Sequence, residues 1–336
     1  MQAQVIRGHG DIDDIAFEPD WPDPVPGPDD VVLKVGACAL NYHDLFTLRG
    51  MPGIKLQMPL IMGIDVAGEI DALGADVTGW KVGDRVMVDP INRRLGKLLG
   101  EAMDGGLAER VKVAASQLIR LPDDVSYAAA AALPVAYGTA YRMMVDRGQI
   151  AAGERVLILG ASGGVGTCCV QLAKLAGAHV VVAASSEDKL ERLKALGADD
   201  GINYRTDDFM TEVHRRYGKP RFLGGDGKGM DVVVNFTGGD TWVPSLRCLR
   251  AGGRLLTCGA TAGYDPKEDI RYIWTFELNI VGSNGWLPSD LHALLDLVRE
   301  GKLEPVIDRT LPLQETRAAF RRLDERAVFG KIIVAP

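Results

Sequence analysis

The sequence predicts an α/β fold, a doubly wound parallel sheet joined to a second, β-rich domain, and three observations carry this. The stretch Val156–Ser186 reads as strand, glycine turn, helix and strand. Strand and helix patterns keep alternating as far as Ser283, which implies a right-handed, mostly parallel sheet with helices on both faces. Residues 1–125 instead break into short apolar runs between glycine and proline turns, the pattern of β structure. A chain of 336 residues suggests two domains. The expected division is 1–125 with 286–336 for the β-rich domain and 126–285 for the parallel sheet.

In the first part, Val31–Val35, Ile64–Leu73, Arg85–Val88 and Leu107–Val113 are the strand candidates. The intervening Asp89–Gly106 is expected to be a surface lobe with a short helix. Its basic trio Arg93, Arg94 and Lys97 reads as a solvated face, with contact to a substrate phosphate as the alternative. From Ser126, a plausible N-cap, the alanine-rich run to Val145 reads as helix, proline break at Pro134, and helix. Further on, helices are expected at Lys189–Leu196, Phe209–Tyr217, Leu246–Leu249, Leu291–Glu300 and Gln314–Glu325. Strands are expected at Asp231–Phe236, Arg254–Cys258, Asn279–Ser283 and Lys331–Val334. The glycine-rich loop 219–229 has no assignment.

The central unit has a specific chemistry. An apolar run, Val156–Leu159, leads into Gly160, Ala161, Ser162, Gly163, Gly164, Val165 and Gly166. Ala161, Gly163 and Gly166 stand where a dinucleotide fingerprint places its small residues. A diphosphate approaches backbone N–H groups at a helix N-terminus, aided by the helix dipole. A side chain at Gly163 would block that approach, and one at Gly166 would push the helix off the strand. An NAD site expects an acid at the end of the second strand, about 20 residues beyond the glycines. This chain has Ser185 and Ser186 there, with Lys189 one turn on, while Glu187 and Asp188 are expected to cap the following helix. Two hydroxyls and an ammonium suit a 2′-phosphate, so NADPH is the expected cofactor.

Composition bounds the rest. The net charge of −7 gives no electrostatic footprint for nucleic acid or an anionic membrane. No basic and apolar leader opens the chain, and no apolar run is long enough to span a bilayer. Cys38, Cys168, Cys169, Cys248 and Cys258 show no C-x-x-C spacing, so reduced, mostly buried thiols in a cytoplasm are expected.

The motifs ACALNYHDLFTLRG, GIDVAGEI, GWKVGDRV, LPVAYGTAY, LILGASGGVG, PVIDRTLPL and FGKIIV occur in the order seen in the medium-chain dehydrogenase/reductase family. Over essentially its full length the chain resembles the zinc-free, quinone oxidoreductase-like branch. The resemblance implies a Rossmann domain plus a GroES-like catalytic domain, with ligands bound in the cleft between them. Zinc members carry a ligand where this chain has Asn41, a His-Glu pair where it has Ile64 and Asp65, and a third ligand close to Val135. Ile64 and Val135 offer no zinc donor, and the Asp89–Gly106 lobe contains no cysteine for a structural zinc, so no metal is expected.

The resemblance further implies hydride delivery to a quinone or to the β-carbon of an α,β-unsaturated carbonyl compound. The alternatives are an enoyl-CoA reductase of the acryloyl-CoA sort, an alcohol/aldehyde oxidoreductase, and a crystallin-like NADPH-binding protein without turnover. It places Asn41 and Thr139 near the nicotinamide, and Tyr204 beside the 2′-phosphate. Gly259, Ala260, Thr261, Gly282, Ser283 and Asn284 fall toward the nicotinamide half, and Lys331 on the phosphates. Tyr42 and His43 are the candidate proton donors, His43 the favoured one, with Asp44 a structural residue or the partner holding His43. Tyr42 and His43 are expected to point to opposite sides of an extended loop. Asn235 stands where relatives often have an acid. Pairing of the Asn279–Ser283 strands of two copies would give a homodimer.

Overall fold

The computed structural model describes every residue except 52, 54, 55 and 223–226. Part of the glycine-rich loop 219–229 therefore lies outside the described residues. The chain forms two compact units, one of Met1–Ala136 with Leu291–Pro336 and one of Tyr137–Asp290.

The Tyr137–Asp290 unit is built on six parallel strands. Their spatial order is Asp200–Asn203, His179–Ala184, Arg155–Ile158, Met230–Val234, Leu249–Thr257 and Asn279–Gly282. In chain order this is 3-2-1-4-5-6, the doubly wound arrangement, with the direction of winding reversing between Arg155–Ile158 and Met230–Val234. Val156, Leu157, Ile158, Val180, Val181 and Val182 are all fully buried, as strands covered on both faces require. Leu157, Val181, Val233 and Leu255 share one core with Phe209, Val213 and Leu246 from the covering helices.

The other unit holds a seven-stranded mixed sheet, in which Asp30–Ala39 pairs with Asp65–Leu73, Arg110–Ala114 and Lys331–Ala335. The last of these pairings is antiparallel, with Ile333 opposite Ala39. Continued for two residues, that register sets Lys331 beside Asn41. The pairing of Ala39 with Asp65 brings the third member of the later site to the same place.

Three local expectations are corrected. Asp89–Gly106 contains a short ribbon, Ile91–Asn92 against Lys97–Leu98, and no helix. Gly96, at φ +62, supplies its turn. Of the basic trio, Arg93 pairs with Asp89, Arg94 pairs with Asp29, and Lys97 is exposed. Pro134 does not break the helical run. A wide helical turn, Leu133–Tyr137, absorbs its missing N–H, and a second follows at Arg142–Arg147. The change of period at Ser126 is also not where the units divide. Ser126 caps the Tyr127–Ala131 helix through Ala129 N–H, as read. That helix, however, packs on the β-rich unit. A Cβ at Gly36 would come within 2.4 Å of the Tyr127 ring, and the Arg85 guanidinium lies 4.7 Å over the same ring.

Candidate functional site

The Tyr137–Asp290 unit carries a glycine turn and an uncapped helix start at the carboxyl end of its Arg155–Ile158 strand. Gly160 adopts φ +65 and turns the chain out of Arg155–Ile158. Gly166 has no room for a side chain, because a Cβ would meet Gly160 O at 2.5 Å and Ala161 Cα at 2.6 Å. Gly163 differs. A Cβ there would meet nothing closer than Gly160 O at 3.7 Å, so the protein's own packing does not require glycine. Gly163 starts the Gly164–Leu175 helix with no side chain capping it. Ser162, Gly163, Gly164 and Val165 are partly exposed, while Ala161 and Gly166 are buried. Open backbone at an uncapped helix N-terminus fits a diphosphate.

At the next strand end, Ser186 rather than Glu187 or Asp188 caps the helix. Its Oγ accepts the Lys189 N–H at 3.4 Å, and the two acids occupy the first turn. Glu187 accepts instead from Asn203 Nδ2 at 2.9 Å. Tyr204 N–H donates to Ala184 O at 3.1 Å, which sets the half-exposed Tyr204 beside Ser185.

A cavity of about 500 Å³ opens where the Leu249–Thr257 and Asn279–Gly282 strands end, lined by Thr257, Cys258, Gly259, Ala260, Gly282, Ser283 and Asn284. Ser283 Oγ is buried there and has no hydrogen-bond partner among the described residues, so a bound polar group could take it. Burial pushes the Cys258 thiol up to about 12, so it is a wall and not a nucleophile. Thr261 is not among the lining residues; its N–H donates to Phe236 O. Thr139 is half-buried on the short helix Gly138–Tyr141. Asn235 uses both ends of its amide. Nδ2 donates to Thr241 Oγ1 and Ser245 Oγ, and Oδ1 accepts from Thr237 and Gly238 N–H. The Thr241 and Ser245 hydroxyls donate to Gly238 O and Thr241 O, so they receive from the Asn235 amide a proton that a carboxylate would not supply.

The β-rich unit carries a buried polar cluster around Asn41. Asn41 Nδ2 donates to Asp65 Oδ2 at 2.8 Å and to Ala39 O at 3.3 Å. Lys331 Nζ donates to Asn41 Oδ1, to Leu40 O at 2.8 Å and to Asp65 Oδ2 at 3.4 Å. Val135 N–H donates to Asp65 Oδ1 at 3.0 Å. The Lys331 and Asp65 side chains are 3% and 0% exposed. Burial pushes the Asp65 carboxyl above its ordinary range, opposed by Lys331 and Asn41. The assignment of Lys331 to a cofactor phosphate is thereby corrected, because its ammonium is enclosed by three oxygens. Every polar group of Asn41's amide is likewise engaged inside this unit.

Tyr42 and His43 are not on an extended loop but open the helix Tyr42–Arg49, roughly 100° apart around its axis. Asp44 fixes the start of that helix by accepting the Asn41 N–H at 2.8 Å. Tyr42 packs edge-on to Phe46, with ring centroids 5.3 Å apart, and against the core. His43 Nε2 lies 2.6 Å from Glu101 Oε2, so Glu101 and not Asp44 is its hydrogen-bonded partner. Burial pulls the His43 imidazole down, but the hydrogen bond and charge of Glu101, helped by Asp44, outweigh it and raise the imidazole above its ordinary value.

Zinc does not fit these residues. Ile64 is hydrocarbon and fully buried, Val135 contributes only a backbone N–H, and Asn41 is committed to Asp65 and Lys331. Among the described residues no group of three or more His, Cys, Asp or Glu could hold a metal ion. Sequence reasoning met Asp65 only as the counterpart of the zinc members' Glu and passed over Glu101. A signal for Asp65 and Lys331 existed, since each is a charge inside an apolar strand run and such charges are buried only when paired.

A parallel sheet in doubly wound order, with its glycine turn and uncapped helix, defines a dinucleotide-binding type of fold. The chain belongs to the medium-chain dehydrogenase/reductase family. Residues 27–123 match the alcohol dehydrogenase GroES-like domain and residues 164–300 the zinc-binding dehydrogenase family, a span that contains none of Asn41, Ile64 and Val135. Acryloyl-coenzyme A reductase of Sulfurisphaera tokodaii is 31% identical over 336 residues, covering 94% of this chain and 95% of its own. A structure described as an NAD-dependent alcohol dehydrogenase superposes with a TM-score of 0.91 at 36% identity, covering 100% of both chains. The 2-octenoyl-CoA carboxylase reductase CinF, in complex with NADP and 2-octenoyl-CoA, superposes with a TM-score of 0.85 at 30% identity, covering 99% of this chain and 87% of its own. Among the described residues no helix is long and apolar enough to cross a membrane.

Proposed function

We propose that this oxidoreductase reduces a carbon–carbon double bond conjugated to a carbonyl, with NADPH as hydride donor, and that an enoyl thioester is the natural form of that substrate. The observation that carries the reading is the pairing of a half-buried His43, held on Glu101, with a neighbouring Asn41 cluster that offers no zinc donor set. Such a site suits chemistry that needs a proton at the α-carbon more than it suits stabilisation of an alkoxide. The similarity to the Sulfurisphaera acryloyl-coenzyme A reductase and to CinF, which is bound to 2-octenoyl-CoA, supports the thioester.

In this reading the backbone of Gly163, Gly164 and Val165 receives the diphosphate. Ser185, Ser186, Lys189 and Tyr204 receive the 2′-phosphate, and Gly259, Ala260, Gly282, Ser283 and Asn284 wall the nicotinamide. NADPH supplies the hydride when bound. His43 holds the proton that quenches the enolate, and Tyr42 shapes the wall beside it.

NADPH oxidation is followed against a short enoyl-CoA, a simple enone and a quinone, each with and without EDTA. Turnover of the enoyl-CoA and the enone, undiminished by EDTA, is expected. His43→Ala should slow the enone reaction at least ~10-fold without weakening NADPH binding. Ser185→Asp should flatten or reverse the preference for NADPH over NADH, by setting a carboxylate against the 2′-phosphate. Alcohol oxidation with NAD that is lost in EDTA, with no enone turnover, would overturn the reading.

A further inference from the structure

Glu101 stands on a strap, residues 99–106, that follows the Lys97–Leu98 strand and is fastened to the segment leading into Asp65. Gly105 N–H donates to Ile61 O at 2.7 Å, Gly106 N–H to Gly63 O at 2.8 Å and Leu107 N–H to Met62 O at 2.9 Å. Ile61 N–H donates to Asp104 Oδ1 at 3.0 Å. The approach is close enough to demand glycine. A Cβ at Gly105 would lie 2.2 Å from Gly63 O, and one at Gly100, already at φ +70, 2.7 Å from the same oxygen. His43 is held from the other side by the helix start that Asp44 and Asn41 fix. Both partners thus stand on fixed frames. Their 2.6 Å contact, with side chains only 35% and 21% exposed, differs from a surface ion pair, where two long side chains must first be immobilised.

We propose that Glu101 is the positioning residue of a Glu101–His43 proton-delivery pair, in which the carboxylate engages Nε2 and leaves Nδ1 to give up the proton. The proposal rests on His43 as the donor in the reaction above. In that reaction the substrate's β-carbon gains a hydride and the π pair moves onto the carbonyl as an enolate. The Nδ1–H bond of the imidazolium then breaks and its proton forms the new C–H bond at the α-carbon. The imidazole is left neutral with its remaining proton on Nε2, already hydrogen-bonded to Glu101, so no ring flip or tautomer exchange follows. Solvent returns a proton to Nδ1. The charged groups acting on His43 are Glu101 from the strap and Asp44 from its own helix, and both favour the imidazolium. The edge of the Phe46 ring, with centroids 6.4 Å apart, covers part of the imidazole.

Glu101→Gln tests this, because the amide keeps an acceptor for Nε2–H and loses the charge. The His43 imidazole is titrated by NMR in protein carrying labelled histidine, its signals identified with His43→Ala, and the pH dependence of kcat for the enone is measured in parallel. In Glu101→Gln the His43 midpoint should fall by about one pH unit. The alkaline limb of kcat should move with it, and KM for NADPH should stay within about twofold. Glu101→Asp, which keeps the charge, should recover most of the shift, which loss of a merely structural contact would not predict. An unchanged midpoint overturns the pair. A lowered midpoint with an unmoved pH–rate profile overturns its part in proton delivery. Full enone turnover by His43→Ala shows separately that the donor was misassigned, and the proposal falls with it.

Discussion

Replacing Lys331 by methionine tests the Asn41 cluster most directly. The substitution keeps an unbranched side chain and removes the ammonium. Asp65 would remain 0% exposed, holding only Asn41 Nδ2 at 2.8 Å and Val135 N–H at 3.0 Å, and Leu40 O would lose its donor at 2.8 Å. Breaking a buried pair by removing one partner costs about 3–5 kcal/mol. That is a large share of a native stability of about 5–15 kcal/mol. The sign of its pH dependence also follows. Burial already raises the Asp65 carboxyl and Lys331 holds it down, so the variant's Asp65 should be raised further. A carboxyl whose folded pKa exceeds its unfolded one binds its proton more tightly when folded, so its contribution to stability is lost as pH rises through that window. Urea unfolding should therefore show the larger deficit at about pH 8 and a smaller one at about pH 5, where Asp65 takes up the proton that replaces the lysine's charge. Adding Asp65→Asn should recover most of the loss at the higher pH. A deficit below about 1 kcal/mol, or one equal at both pH values, would refute the argument that this ammonium neutralises a buried carboxylate.

Asp44 gives a second pH prediction. Burial raises its carboxyl to about 7, against its helix-start bond to Asn41 N–H, and Asp44 Oδ1 has no hydrogen-bond partner among the described residues. Stability should fall between about pH 4 and pH 7 as it ionises, and Asp44→Asn, which keeps an acceptor, should flatten that part of the urea profile. Gly163→Ala and Gly166→Ala should separate binding from folding. With 3.7 Å of clearance the first should leave the melting temperature unchanged and weaken NADPH binding in calorimetry at least ~10-fold, whereas the second, 2.5 Å from Gly160 O, should cost about 1–3 kcal/mol of stability. Equal stability losses would refute the distinction. The Asn279–Gly282 strand is an exposed sheet edge, with Ile280 41% and nearby Trp274 67% exposed, and its pairing with a second copy is expected to give a dimer in light scattering. Val281→Pro should yield monomer; a monomer before any substitution would refute the pairing.

What was legible in the sequence was what repeats at short range. The Phe209–Tyr217 helix and the Arg85–Val88 strand fall where period and turn residues put them, because a few neighbouring side chains decide each. The glycine cradle was legible for a different reason. Gly166 is demanded by a clash five to six residues back in the chain, so its cause lies within the motif that displays it. The helix expected in Asp89–Gly106 failed because tertiary anchoring overrides local propensity there: Gln117 holds Asp89 O and Asn92, and the strap hangs on Gly63.

The parts of the site that stayed hidden are those whose partners are far apart in the chain. Lys331 meets Asn41 across 290 residues and Asp65 across 266, and Glu101 meets His43 across 58. Nothing within a window of neighbours shows that a lysine in an apolar strand faces a carboxylate in another. Only the strand register, Ile333 on Ala39 and Ala39 on Asp65, makes the meeting necessary. Once that register is known, the family's ligand positions take on a different sense. Asn41 and Val135, where zinc relatives hold a metal, are tied to one Asp65 whose charge is answered by a lysine. A protonated amine on a rigid strand thus supplies at this place the positive charge that would otherwise come from an ion. It leaves no open coordination position, so in the proposed reaction polarisation of the substrate carbonyl falls to hydrogen-bond donors and not to a metal.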